Sequence, residues 1–272
     1  MSDGIAVERD GHVATLWLDN PDRRNAMGRA FFDGVRSAIE ELSDDADVRA
    51  IVIAARGRAF TVGLDLKEMT AGDLTSEGAG GSEASRRLAG YRSLKRWQRA
   101  FTAVADCPKP VIAAVHGYCI GGGIDLISAC DIRLAAADAV FSVRETKIAI
   151  VADLGTLQRL PAILARGHVA ELAFTGKDIT ADRAREIGLV NDVLPDVESL
   201  HKAALDLAGE IAANSPLAVQ GTKAVLRAGE GRSVEEALDY VAVWNSAFLG
   251  SNDLVEAMTA FLQKRPPNFT GT

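Results

Sequence analysis

No apolar run in this chain approaches the roughly 20 residues that a membrane span requires. Runs such as Val111–Val115 and Ile148–Ala152 stop at five, so no membrane association is expected. Cysteine is scarce as well. Cys107, Cys119 and Cys130 form no C-x-x-C pair and sit among apolar neighbours, where free thiols serve as small hydrophobes; a reducing compartment fits. The first residues, Met1-Ser-Asp-Gly-Ile5, carry no basic leader, and Thr270-Gly-Thr272 is not a peroxisomal address, so a cytoplasmic location is expected. Positive charge is in deficit, with 30 Lys+Arg against 37 Asp+Glu and a net charge of −7, which disfavours a phosphate-backbone partner and makes nucleic acid an unexpected ligand.

Whole classes of chemistry are missing too. There is no G-x-S-x-G, H-E-x-x-H, G-x-x-x-x-G-K-[ST] or strand-following G-x-G-x-x-G, which removes the common serine-hydrolase, zinc-protease and nucleotide-loop readings. His12, His116, His168 and His201 are scattered without ligand spacing and read as structural or surface residues, so no metal is expected. The chain does have 272 residues, 48% of them hydrophobic and 25% charged, a balance that lets a globular protein bury one large core, or a core with a smaller lobe.

Residues 4–9 and 12–18 read as a hairpin around Asp10-Gly11. Phe31, Phe32, Val35, Ile39 and Leu42 recur at helical spacing over 28–43, and 50–54 reads as a buried strand. Strands at 111–115 and 132–136 alternate with helices at 84–105 and 122–129, a pattern of α/β folds with mostly parallel strands. Residues 70–82 are rich in Gly and Ser without periodicity and read as a surface loop. Beyond 198 only helices are predicted, at 198–213, 216–228, 233–249 and 252–263. The organisation is therefore a core over 1–197 and a helical C-terminal lobe over 198–272.

The informative stretch is Lys109-Pro-Val-Ile-Ala-Ala-Val-His-Gly-Tyr-Cys-Ile-Gly-Gly-Gly-Ile-Asp-Leu126. Three consecutive glycines before a helix present amides with no side chain in the way, suited either to an anion or to a tight strand-to-helix turn. Arg58-Ala-Phe-Thr-Val-Gly-Leu-Asp65 offers a second Gly-flanked set. Two such donors converging on one oxygen make an oxyanion hole.

With Asn20–Met27, Ala59–Leu66, Lys109–Gly117, Ile120-Gly-Gly-Gly123, Cys130–Arg133, Gly155–Leu160, Phe174–Lys177 and Gly188-Leu-Val190, the chain resembles the crotonase (enoyl-CoA hydratase/isomerase) superfamily over essentially its whole length. The resemblance implies a spiral of ββα units, a C-terminal trimerisation lobe giving a homotrimer or a hexamer of two trimers, and an acyl-CoA thioester substrate whose CoA is part of the substrate, with no further cofactor. It assigns the two thioester-binding amides to Leu64 and Gly122. Gly63, Leu64, Asp65, Leu66, Lys67, Gly122 and Arg24 become candidate substrate contacts. Arg24 and Lys67 are candidates for the CoA phosphates, although each equally reads as a solvated charge.

Acid and base residues separate the reactions this superfamily performs. Typical hydratases carry two glutamates where this chain has Asp125 and Glu145, and usually a glycine where it has Asp153. The trio Asp125, Glu145 and Asp153 resembles that of the Δ3,5-Δ2,4-dienoyl-CoA isomerases of fatty acid β-oxidation, which move a proton from C2 to C6. That resemblance implies Glu145 as base, Asp153 as acid and Asp125 as a hydrogen-bonding partner that orients Glu145. Reading the residues alone leaves plainer roles open: Asp153 capping a helix that begins at Leu154, Asp125 as a first-turn acid, and Glu145 as a surface charge beside Arg144 and Lys147. The competing activities are a 2-enoyl-CoA hydratase or a Δ3-Δ2-enoyl-CoA isomerase built on Glu145, and then a catalytically silent scaffold.

Overall fold

The computed structural model describes residues 4–69 and 81–272. The Gly- and Ser-rich stretch lies outside the described residues except for Gly81 and Ser82. A six-stranded sheet carries the fold, formed by β1 (Ile5–Asp10), β2 (Val13–Leu18), β3 (Ala50–Ala55), β4 (Val111–Val115), β6 (Ile132–Ala136) and β9 (Asp192–Leu194) in the order β1-β2-β3-β4-β6-β9. Only β1 runs antiparallel to its neighbour, pairing Asp10 with Val13 across the turn at Gly11; the remaining pairs are parallel. The central strands β3 and β4 read as continuous apolar runs because both faces are covered.

One face is covered by α1 (Arg29–Asp44) and α2 (Glu83–Asp106). The first inserts Phe31, Phe32, Val35, Ile39 and Leu42, and the second Ala100, Phe101 and Val104. The other face is covered by α7 (Val197–Ala212), whose Leu200, Ala204, Ala208 and Ala212 recur every fourth residue and pack on Val52, Ala54, Ile112, Ala114 and Leu134. A row of alanines lets a helix approach a sheet closely, so the first helix after 197 belongs to the sheet's own packing.

A second, three-stranded layer was not legible in the sequence. It holds β5 (Tyr118–Ile120), β7 (Val140–Ser142) and β8 (Ile179–Thr180), and the parallel bridge Thr61–Cys119 adds the segment after β3 to it. Strands of two or three residues are too short to display an alternation. Their presence means that β4 does not run directly into the glycine helix; the chain turns at Gly117, forms β5, and then enters α3 (Gly122–Ser128). The pairs β4–β5 and β6–β7 thus each give one strand to each layer before a helix, in keeping with the ββα spiral expected from the resemblance. α4 (Thr156–Ile163), α5 (Arg166–Thr175) and α6 (Ala181–Glu186) follow, and α8 (Pro216–Gly229), α9 (Val234–Phe248) and α10 (Asn252–Gln263) end the chain. No helix among the described residues is long and apolar enough to cross a membrane.

The C-terminal helices are anchored by an ion pair whose lysine is buried. The Lys223 ammonium on α8 donates to Asp131 Oδ2 at 2.6 Å and to the Lys109 carbonyl at 2.9 Å, while the Val111 amide donates to the same Asp131 oxygen at 2.7 Å. Lys223 is 7% exposed, so losing its partner strands a charge. Asp131→Ala is expected to cost about 3 kcal/mol in urea unfolding. Adding Lys223→Met is expected to recover part of that loss, and a double variant no more stable than the single one would contradict this reading.

Candidate active site

Val62–Leu64 and the start of α3 meet at one cavity of about 150 Å³. The approach is close: Gly63 has φ +83°, and a Cβ placed on it would lie 2.7 Å from the Ile120 carbonyl and 3.6 Å from the Gly122 nitrogen. Any side chain there would push the two segments apart. The bonding around this contact is selective. Met27 N–H donates to the Gly63 carbonyl at 2.8 Å and Asp65 N–H to the Met27 carbonyl at 3.1 Å, passing over Leu64. On the other side Gly121 N–H donates to Ser142 at 2.9 Å and Ile124 N–H to Gly121 at 2.7 Å. Gly122, the first residue of α3, lies where helix amides lack intrahelical partners. The Leu64 and Gly122 amides therefore make no hydrogen bond among the described residues, and both residues line the cavity.

Three carboxylates reach the same cavity, Asp125 from the first turn of α3, Glu145 from the short 3-10 turn Glu145–Ile148, and Asp153 from the turn before α4. Their surroundings differ. Asp125 is 1% exposed, and its Oδ1 accepts the Thr156 N–H at 2.6 Å. Through that oxygen it satisfies an amide at the start of α4 from a neighbouring helix, at a helix terminus where an anion is stabilised. Glu145 is half-buried, and its Oε2 is shielded from solvent without a partner, so it is not a solvated surface charge. Asp153 is exposed at the mouth. Since α4 begins at Thr156 behind Gly155 and has no side-chain cap, Asp153 does not cap it.

Burial raises all three carboxyls above the ordinary range, and at Asp125 and Glu145 the charge of a neighbouring acid adds to it. Glu145 is pushed up to about 7 by burial and then by the charge of Asp125, with a smaller contribution from Asp153. Asp125 rises to about 6, again chiefly through burial, against the bonds from Thr156. Asp153 rises through burial. Three acids sharing one apolar cavity do not all ionise together near neutral pH. The walls between them are apolar, formed by Phe32, Trp97, Ile148, Ile150 and Leu154 among others.

The structure brings together Gly63, Leu64, Leu66, Gly122, Asp125, Glu145 and Asp153, and leaves three candidates outside the cavity lining. Asp65 is buried in the loop's own architecture, where Oδ2 binds Arg23 at 2.5 Å and Oδ1 accepts the Lys67 and Glu68 amides at 3.0 and 3.2 Å. Arg24 and Lys67 are exposed beside it. Trp97 and Phe32, stacked with ring centroids 5.6 Å apart, also line the cavity, and nothing in the sequence singles them out for it. Their place in the cavity depends on how α1 and α2 cross, which spacing does not reveal.

Removing the charge of Asp125 is expected to let Glu145 ionise at lower pH. In infrared difference titrations of protein labelled with 13C-glutamate, the buried glutamate band is expected to titrate near pH 7 and to move down in Asp125→Asn. A band that moves up or stays fixed would show that the two are not coupled.

Comparisons with known proteins identify the family. The enoyl-CoA hydratase/isomerase family model matches residues 8–272. The mitochondrial Δ3,5-Δ2,4-dienoyl-CoA isomerase of Rattus norvegicus is 44% identical over 257 residues, covering 93% of this chain and 77% of that one. The peroxisomal protein of the same name from Arabidopsis thaliana is 43% identical and covers 97% and 95%. The crystal structure of enoyl-CoA hydratase from Bacillus anthracis superimposes with a TM-score of 0.88 at 30% identity, covering 99% of this chain and 100% of that one. The chain belongs to the enoyl-CoA hydratase/isomerase family.

Proposed function

We propose that the protein isomerises 3,5-dienoyl-CoA thioesters to the conjugated 2,4-dienoyl-CoA. The carrying observation is that two unbonded amides and three carboxylates line one apolar cavity, in a chain whose relatives named as dienoyl-CoA isomerases are 41–45% identical to it. In this reading the thioester oxygen lies against the Leu64 and Gly122 amides. Glu145 takes a proton from C2, and the electron pair of that C–H bond spreads over the oxygen and along the diene as far as C6. Asp153 delivers a proton to C6, leaving double bonds at C2–C3 and C4–C5. Each preorganised amide contributes roughly 3–4 kcal/mol to stabilising the enolate oxygen.

A base that titrates near 7 is matched to neutral pH. Asp153, raised by its surroundings, is placed at the exposed mouth, where it regains its proton from water after each turnover. Asp125 keeps the start of α4 in register and holds Glu145 high through its charge. A hydratase needs two carboxyls sharing one water, whereas one oxygen of Asp125 is committed to Thr156.

A homotrimer, or two trimers paired, accounts for the apolar side chains left facing solvent on α8–α10, where Leu226, Val243, Phe261 and Leu262 are 70%, 70%, 82% and 80% exposed; such a patch marks an interface. The three buried free cysteines fit a reducing compartment such as the cytoplasm, although the two dienoyl-CoA isomerases described above bear mitochondrial and peroxisomal names.

Asp153→Asn is expected to lower the turnover of 3,5-octadienoyl-CoA by about 10²–10⁴-fold, the range for removing a general acid, without gain in water addition to crotonyl-CoA. Near-normal isomerisation by that variant would remove Asp153 from the mechanism.

A further inference from the structure

The turn that carries Asp153 has no regular secondary structure of its own, yet side chains from two helices grip its backbone. Gln98 on α2 donates from Nε2 to the Asp153 carbonyl at 2.7 Å. Arg159 on α4 donates from Nη1 to the next carbonyl, Leu154, at 3.3 Å and from Nη2 to Thr102 Oγ1 at 3.4 Å. Gln98 and Thr102 are four residues apart and share one face of α2. Lys95 Nζ donates to Gln98 Oε1 at 2.8 Å, which polarises the Gln98 amide and strengthens its N–H as a donor.

The seat for Arg159 is also prepared. Gly155 has φ +133°, and a Cβ on it would fall 1.8 Å from Arg159 Nη1, so any side chain there would displace the guanidinium. With the Thr156 amide held by Asp125, the turn is fixed at residues 153, 154 and 156 by groups from α2, α4 and α3. Satisfying two carbonyls at a solvent-facing turn does not require this, because water does it at little cost. What the arrangement adds is a fixed distance between Asp153 and the cavity wall, since α2 also supplies Trp97 to that wall.

We propose that Gln98, Thr102 and Arg159 form a clamp that positions Asp153 for proton delivery to C6. None of the three touches the reacting atoms; they act through the backbone of the acid. This rests on the isomerase reading above. Its physical basis is that a displacement of about 1 Å in a reacting group costs about 10²-fold in rate, and the return of the proton is the step with the longest reach.

The test is Gln98→Met, which removes the donor at similar volume from a partly exposed helix position, assayed on 3,5-octadienoyl-CoA and its 2,2-dideuterated form in H2O and D2O. The expected result is a fall in kcat of about 10-fold with KM within two-fold. The isotope effect from C2 deuterium is expected to shrink and the solvent isotope effect to grow, as reprotonation becomes limiting. Thr102→Val is expected to shift both isotope effects in the same directions by a smaller amount, and it carries the test should Gln98→Met not fold. Unchanged kcat, or a fall with both isotope effects as in the parent enzyme, would overturn the clamp. A parent enzyme that does not isomerise the diene would instead overturn the isomerase reading, and the clamp with it.

Discussion

The structure turns on two backbone amides left without acceptors. A buried peptide N–H without a partner costs about 1–3 kcal/mol, and most of this chain's backbone is paired in ladders, helices and turns. Leu64 and Gly122 line one cavity with amides that make no hydrogen bond among the described residues. The spiral makes this possible. It sends the segments after β3 and after β4 into the same second layer, so two stretches distant in sequence lie side by side. Gly63 closes the gap to a distance that only glycine permits. An oxygen that gains negative charge between those amides gains more than it would from water, because the donors are already oriented.

The carboxylates follow from that frame. An apolar cavity desolvates any acid placed in it, and at Asp125 and Glu145 a neighbouring acid's charge raises the carboxyl further. Burial therefore makes the site electrostatically unfavourable for full ionisation and at the same time leaves protons available for transfer near neutral pH. The differences between the acids come from their supports. Asp125 is tied to a helix terminus, Glu145 keeps an oxygen without a partner, and Asp153 sits at the mouth in a turn gripped from two helices. In the proposed reaction one frame would supply anion stabilisation, a half-buried base and an acid open to solvent.

Much of this was legible in the residues. The hairpin, the buried strands at 50–55, 111–115 and 132–136, and the four C-terminal helices were predicted to within a few residues, because long periodic segments carry their own signal. The second layer was not, since Ile179–Thr180 and Tyr118–Ile120 acquire their identity only from the strands they meet. The carboxylate positions were visible through resemblance, but the acceptor role of Asp125 was not: its partner, the Thr156 amide, is 31 residues away in the chain and is a backbone group with no sequence signature. Gln98 and Arg159 were hidden for the same reason. Each binds a carbonyl, and nothing in a side chain's identity announces which distant carbonyl it will meet.

The most direct test of the account is where solvent hydrogen enters the product. When 3,5-octadienoyl-CoA is turned over in D2O and the 2,4-dienoyl product is examined by NMR and mass spectrometry, one deuterium is expected at C6 and none on an added hydroxyl. Deuterium confined to C4, or a hydrated product, would contradict the account, because it would mean that the charge released at C2 is quenched before it reaches the carbon that Asp153 is placed to serve.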